Sequence, residues 1–445
     1  MTTLPPLDSL QDALEKGSRA EIEDIVEKLH PSEIADSLEA LPKKQRDNLW
    51  QQDSLDQKAV LPYVSDGVSG ELMLNMPPTE LASAVQSMAT DDAVDVLQNL
   101  PDDVVEQVLP AMDRHHYSRL RQVLFYPENS AGGLMNTDLL TVRTEMTLKQ
   151  VLRYLRRFDK LPEKTDVLMV VDNNNLYRGM LLITDLLTSK PNLTVEQVMF
   201  TEIEAIEAQM SAHDVALLFE QRDLLSAPVV DEQGILVGRI TVDDVVDVIR
   251  AEADHHLMGR AGLDEDDDMF APVLATTRNR ALWLGVNLAT AFLAAYVIGL
   301  FEATLEKMVA LAVLMPIVAS MGGIAGSQTL TIVIRGMAVG QITHTNTPFL
   351  LRKELVVSLL NGVIWALVVA VITLLWFGSL KLGLIIGAAL IINLFCAALS
   401  GVLIPFLLQR LSIDPALASS VTLTTITDVV GFGTLLGLAT ILLNI

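Results

Sequence analysis

The sequence predicts a multidomain membrane protein. An all-α domain of short helical repeats comes first, then an α/β pair of repeated units, a connecting helix, and an α-helical transmembrane domain of five spans. Three observations predict this. Half of the 445 residues are apolar and the mean hydropathy is positive, +0.40, which argues against both a disordered chain and an ordinary soluble one. The charge is divided: residues 271–445 carry 8 Lys and Arg against 5 Asp and Glu, leaving 23 basic and 50 acidic residues in 1–270. Two internal repeats, of 12 and 59 residues, occupy the acidic part. A net −27 over the first 270 residues repels nucleic acid and anionic headgroups and attracts cations. No nucleic-acid partner is expected.

In residues 20–125, Leu29 and Leu41 are 12 apart, as are Met76, Met88, Leu100 and Met112 in series. Pro or Asp follows most of them, as in Leu100-Pro-Asp-Asp103, so each unit reads as a short amphipathic helix with its start signal. Stacked, they predict an α-solenoid-like acidic domain over 1–130.

Residues 131–250 hold the longer repeat. Val170-Val-Asp172 returns as Val229-Val-Asp231, Gly179 as Gly238 and Asp185 as Asp244. Each unit predicts a helix, a β-branched strand, a turn (Asn173–Asn175 or Glu232–Gly234), a second strand and a helix. Two such units resemble a tandem CBS domain. In the second, Gly238-Arg-Ile-Thr241-Val-Asp-Asp244 resembles the nucleotide-binding pattern of that family. Thr241 and Asp244 would offer a hydroxyl and a carboxylate to a ribose, whereas the first unit has Leu182 in place of the hydroxyl. ATP is one candidate ligand; an empty, structural pair is the alternative.

Residues 251–277 form a connecting helix and linker that includes Asp264-Glu-Asp-Asp-Asp268, a run that is solvated or concentrates cations near a pore mouth. In 278–445, uncharged runs lie at Ala281–Phe301, between Lys307 and Arg335, between Glu354 and Lys381, and between Lys381 and Arg410. A fifth follows Asp414 with Asp428 as its one ionisable residue. About 20 apolar residues cross the hydrocarbon slab as a helix. Arg278, Arg280, Arg335, Arg352, Lys353 and Arg410 flank one side, against Lys307 and Lys381 on the other, so the N-terminus is expected in the cytosol and the C-terminus outside. The absence of a basic n-region before an apolar stretch agrees, as does the lack of a disulfide framework around the single Cys396. The expected location is the plasma (bacterial inner) membrane.

Asp428 lies in Thr422-Leu-Thr-Thr-Ile-Thr-Asp428-Val-Val-Gly431. A carboxylate within a span costs roughly 2.5–3.5 kcal/mol on insertion scales and marks an ion path or finds a partner. Thr424 is one turn away on the same face, and hard oxygen ligands suit Mg²⁺ or Ca²⁺. The alternative is a protonated Asp428 bonded to a neighbouring helix, at Asn361 or Asn393. The second span holds Pro316 and Met321-Gly-Gly-Ile-Ala-Gly-Ser-Gln328, whose glycines allow either close helix approach or local unwinding that exposes carbonyls.

This order of modules resembles the MgtE family of magnesium channels along essentially the whole chain. The stretches that carry it are Tyr126-Pro-Glu-Asn-Ser-Ala-Gly-Gly-Leu-Met135, Pro228-Val-Val-Asp231, Thr241-Val-Asp-Asp244, Trp283-Leu284, Gly322-Gly323 with Gly326 and Gln328, Arg335-Gly336, Asp414-Pro-Ala416, and Thr424-Thr-Ile-Thr-Asp428 with Gly431-Phe432. The resemblance implies a homodimer in the lipid bilayer whose pore runs between subunits, with Asp428 of each chain at the ion site. It also implies closure when cytosolic Mg²⁺ binds acids of the soluble domains. By position those would be Asp223, Asp244, Asp247 and Glu252, with Asp91, Asp92 or Asp95 in the helical domain.

Departures from the family pattern are Ile324 for Asn, Ser420-Val421 for Gly-Pro, and Arg250, His255 and His256 at positions usually acidic. They predict weakened Mg²⁺ sensing, with both histidines as exposed spectators because adjacent residues on a helix diverge by about 100°. They also leave open transport of another divalent ion such as Co²⁺, Mn²⁺ or Ca²⁺. A rival from another class is a membrane-anchored nucleotide or metal sensor that does not conduct. No nucleophile-base, phosphate-loop or HExxH pattern points to an enzyme.

Overall fold

The computed structural model describes residues 7–162, 164–259, 262–263, 270–271, 273–343, 345–411 and 413–443. The chain divides into two compact units, with the division in sequence between Glu252 and Ala253.

The first unit opens with short helices, among them Pro31–Glu39, Lys43–Trp50, Pro78–Val85, Thr90–Gln98, Asp102–Val108 and Arg114–Val123. Proline starts several: Pro31 and Pro78 stand at first-turn positions where no helical N–H is lost, and Pro101 caps a first turn carrying Asp102 and Asp103. The 12-residue repeat has its physical meaning in burial. Leu41, Leu100 and Met112 are in the core, and Leu29, Met76 and Met88 pack against it. Each fully buried leucine contributes roughly 1.5–3 kcal/mol.

Residues 131–250 contain two three-stranded sheets of the same plan. Strands Val167–Val171 and Ser226–Val230 are central and fully buried. Each pairs antiparallel with the strand after its turn, in equivalent registers: Val170 opposite Gly179, Val229 opposite Gly238. The turns close alike, because Asp172 Oδ1 accepts from the N–H of Asn174 and Leu176 while Asp231 Oδ1 accepts from those of Gln233 and Ile235. Asn175 and Gly234 supply the left-handed residue in each. One element differs from the expected plan. A leading strand, Thr141–Arg143 or Ile206–Glu207, pairs parallel with each central strand. Two or three residues are too few to show an alternating pattern.

Helix Val242–Gly259 runs unbroken past residue 250, where the sequence places a domain boundary. The acidic run Asp264–Asp268 lies outside the described residues.

In the second unit five helices are long and apolar enough to cross a membrane: Thr276–Gly299, Ala310–Ala338, Thr347–Phe377, Leu380–Arg410 and Ala418–Leu443. The fourth is the centre of the bundle, with 61% of its apolar window buried against 6% for the first. The second stays helical through its glycines and Pro316, so Gly322 and Gly326 serve close approach and no unwound segment exposes carbonyls. A Cβ on Gly326 would lie 2.9 Å from Leu423 Cδ1 of the fifth span, and one on Gly401 3.0 Å from the Gly326 carbonyl oxygen.

Candidate ion sites

In the membrane unit, helix Pro415–Leu443 carries Asp428. Its side chain is half-buried, and it makes no hydrogen bond or ion pair with any described residue. Neither asparagine weighed as its partner reaches it. Asn361 donates to its own helix at Val357 (3.1 Å) and Asn393 to the Val318 carbonyl (2.9 Å). The hydroxyls before Asp428 spend their protons on their own helix: Thr424 on Ser420 (3.0 Å), Thr425 on Val421 (2.8 Å) and Thr427 on Thr424 (3.0 Å). The Thr424 and Thr425 oxygens keep lone pairs that can accept a further hydrogen bond or a cation. Thr427 is fully buried while Thr424 is exposed, so Thr424 and Asp428 share the less covered side of the helix. On the second span, Ile324 is 56% exposed and a Cβ on Gly323 would meet nothing within 4 Å.

The soluble unit brings two of the expected acids together. Asp91, in the first turn of Thr90–Gln98, is buried and accepts from Asn136 Nδ2 at 3.0 Å. Burial raises its pKa against these hydrogen bonds. Asp244 stands in the first turn of Val242–Gly259, where its Oδ2 accepts from the backbone N–H and the hydroxyl of Thr241, both at 3.0 Å. That is half of a capping box and explains locally why a carboxylate occupies the position. Burial first, and the charge of Asp91 second, push Asp244 up to about 7; Lys164, paired with Asp243, opposes the shift. Both carboxylates are hard oxygen donors of the kind Mg²⁺ takes.

The other expected ligands lie on the same two helices and at the end of a third. Asp92 is half-buried and Asp95 exposed on the same helix as Asp91. Desolvation moves Asp247 upward against the fields of Arg250 and Lys164, although the side chain as a whole is exposed. Asp223 ends helix Ala212–Arg222 in the left-handed conformation. Glu252 pairs with His213 Nδ1 at 2.6 Å. Among the described residues, no three His, Cys, Asp or Glu converge as a metal cage. The expectation of spectator histidines fails for His255, whose Nε2 pairs with Asp414; the His256 side chain lies outside the described residues. A pairing 159 positions apart in sequence leaves no local pattern.

Asn136 is the residue that sequence reasoning missed. Its backbone exchanges hydrogen bonds with Arg239 in the second sheet, N–H to Arg239 O at 2.8 Å and O from Arg239 N–H at 2.9 Å. The preceding Tyr126–Met135 segment fixes it in place. A Cβ on Gly133 would sit 2.5 Å from the Pro127 and Glu128 carbonyl oxygens, and one on Gly238 2.7 Å from Met135 Sδ. The motif carrying the family resemblance was therefore the signal, read one residue short.

Comparison with known proteins gives three matches along the chain: the MgtE intracellular N domain over residues 8–129, CBS domains over 131–191 and 195–251, and the MgtE divalent cation transporter domain over 315–438. The magnesium transporter MgtE of Thermus thermophilus is 31% identical over 98% of both chains. That of Bacillus subtilis is 28% identical over 96% of this chain and 95% of its own. A solved structure of the cytosolic domain of the Mg²⁺ channel MgtE in complex with ATP is 30% identical. It covers 54% of this chain and 99% of that one, with a TM-score of 0.50.

Proposed function

The chain belongs to the MgtE family, and from that premise we propose that it is a homodimeric Mg²⁺ channel of the plasma membrane with Asp428 of each subunit at the ion site. The observation that carries this reading is the Asp428 carboxylate, half-exposed within a span and without a described partner. Two such carboxylates facing one another hold a hydrated Mg²⁺ through its water shell, since that ion gives up water reluctantly. The exposed Thr424 and half-exposed Asp428 support a second copy there, because polar and ionisable groups facing lipid are costly. The excess of Lys and Arg on one set of loops supports a cytosolic N-terminus and an external C-terminus. The modules expected at 1–130, 131–250, 251–277 and 278–445 divide the work between sensing and conduction.

Cytosolic Mg²⁺ closes the channel by binding soluble-domain acids. Asp91 and Asp244 fit that ion best: both are hard oxygen donors, and each raises the cost of ionising the other until a cation offsets the repulsion. Asp92, Asp95, Asp223, Asp247 and Glu252 are further sensor positions. When cytosolic Mg²⁺ falls, repulsion returns and the channel opens.

Mg²⁺ uptake by proteoliposomes tests the pore role. Asp428→Asn lowers flux at least tenfold, with unchanged flux removing Asp428 from the path. Competition with Co²⁺, Mn²⁺ and Ca²⁺ reads the consequence of Ile324 and Ser420-Val421, and no flux of any ion favours the non-conducting sensor. A second reading, ATP bound at the CBS pair through Thr241 and Asp244, is favoured by the related cytosolic domain in complex with ATP. Loss of ATP binding in Asp244→Ala checks it.

A further inference from the structure

Asn393 sits in the interior of the fourth span and is fully buried. A carboxamide in an apolar bundle is expensive unless both ends are bonded. Only one end is: Nδ2 donates to the Val318 carbonyl of the second span at 2.9 Å, while Oδ1 is enclosed with no partner. A buried unmade acceptor is destabilising, so bundle stability alone favours an apolar residue of similar size.

Two glycines on two other spans make room for this group. A Cβ on Gly322 of the second span would lie 2.2 Å from Asn393 Nδ2, and one on Gly431 of the fifth span 2.8 Å from the same atom. Gly431 is three residues beyond Asp428, about 4.5 Å along the helix axis. The carboxamide is thus a polar wedge between the second and fifth spans at the depth of Asp428, tied to one and pressed against the other.

We propose that Asn393 is a positioning residue for the ion path. Through Gly431 it sets where the fifth span presents the Asp428 carboxylate, without touching the ion itself. The inference rests on the reading of Asp428 given above.

Mg²⁺ uptake by full-length protein in proteoliposomes, resolved into half-saturating concentration and maximal rate, provides the test. Asn393→Leu keeps the branched outline, with added bulk, and removes the hydrogen bond; Asn393→Ala removes both outline and bond. Each raises the half-saturating Mg²⁺ at least threefold while the purified protein stays monodisperse. Gly322→Ala alone lowers folded yield, and Asn393→Ala restores it by vacating the space the new methyl needs. An unchanged half-saturation in both Asn393 variants, with rates following the folded fraction, overturns the inference and leaves Asp428 in place. Wild-type flux in Asp428→Asn, measured alongside, overturns the pore reading and the inference with it.

Discussion

Asp91 is buried and Asp244 half-buried, and after desolvation the Asp91 charge is the largest cause of an Asp244 pKa pushed up to about 7. The two residues are 153 positions apart, on helices of different modules. Asn136 hydrogen-bonds Asp91 and is bridged to the strand that leads into Asp244.

A raised carboxyl gives a definite sign to the pH dependence. Between the ordinary value near 4 and the folded value near 7, the folded chain binds the extra proton, so this contribution falls as pH rises through that window. In chelator, the melting temperature of the purified chain should fall between pH 5 and 8 by several degrees, a few kcal/mol at most. Asp244→Asn should flatten that slope. Millimolar Mg²⁺ at pH 8 should restore the wild type and have much less effect on the variant. A melting temperature independent of both would dissolve the pair as a sensor.

Arg46 is wholly buried, and its guanidinium donates to the Leu38 carbonyl (Nε, 3.0 Å) and the Leu41 carbonyl (Nη2, 3.2 Å) with Glu71 at 3.5 Å from Nη1. Arg46→Ala leaves two carbonyls at a helix end without these donors and one carboxylate without this partner, a loss of about 3–5 kcal/mol. Urea denaturation followed by circular dichroism should show it. Lys28→Ala, which removes an exposed pair with Asp24, should cost less than about 1 kcal/mol.

Gly133 separates packing against backbone from packing against a flexible side chain. Its substituent would meet the Pro127 and Glu128 carbonyl oxygens at 2.5 Å, whereas at Gly326 the nearest atom is the movable Leu423 Cδ1 at 2.9 Å. Gly133→Ala should therefore destabilise by about 1–3 kcal/mol, and Gly326→Ala by less, in thermal melts of the two variants.

His255 and Asp414 form a pair that needs no metal, its attraction supplied when the imidazole carries a proton. His255→Asp places two carboxylates opposite each other and makes their contact depend on a cation. Flux measured against internal Mg²⁺ should then show inhibition at lower Mg²⁺ than in the wild type. An identical inhibition curve would assign the contact no part in gating.

The five spans, the two repeats and the intramembrane acid were legible because each is written in neighbouring residues: apolar run length, a 12- or 59-residue spacing, one charge where none is cheap. The leading strands of the α/β units were not, being two or three residues long. Nor could the glycines of Met321–Gln328 reveal whether they unwind the helix or admit a neighbour, since both uses select the same residue.

What the sequence by itself determined is the class of the molecule and its cargo's charge: an acidic soluble part, five membrane helices and one carboxylate among hydroxyls. Only the tertiary structure decided which acids meet. Burial and Coulomb interactions depend on distance in space, so Asp244 could be singled out from its many acidic neighbours once the fold brought the charge of Asp91 to bear on it. For the same reason Asn393 and Gly431, unremarkable apart, acquire meaning as the contact that seats Asp428.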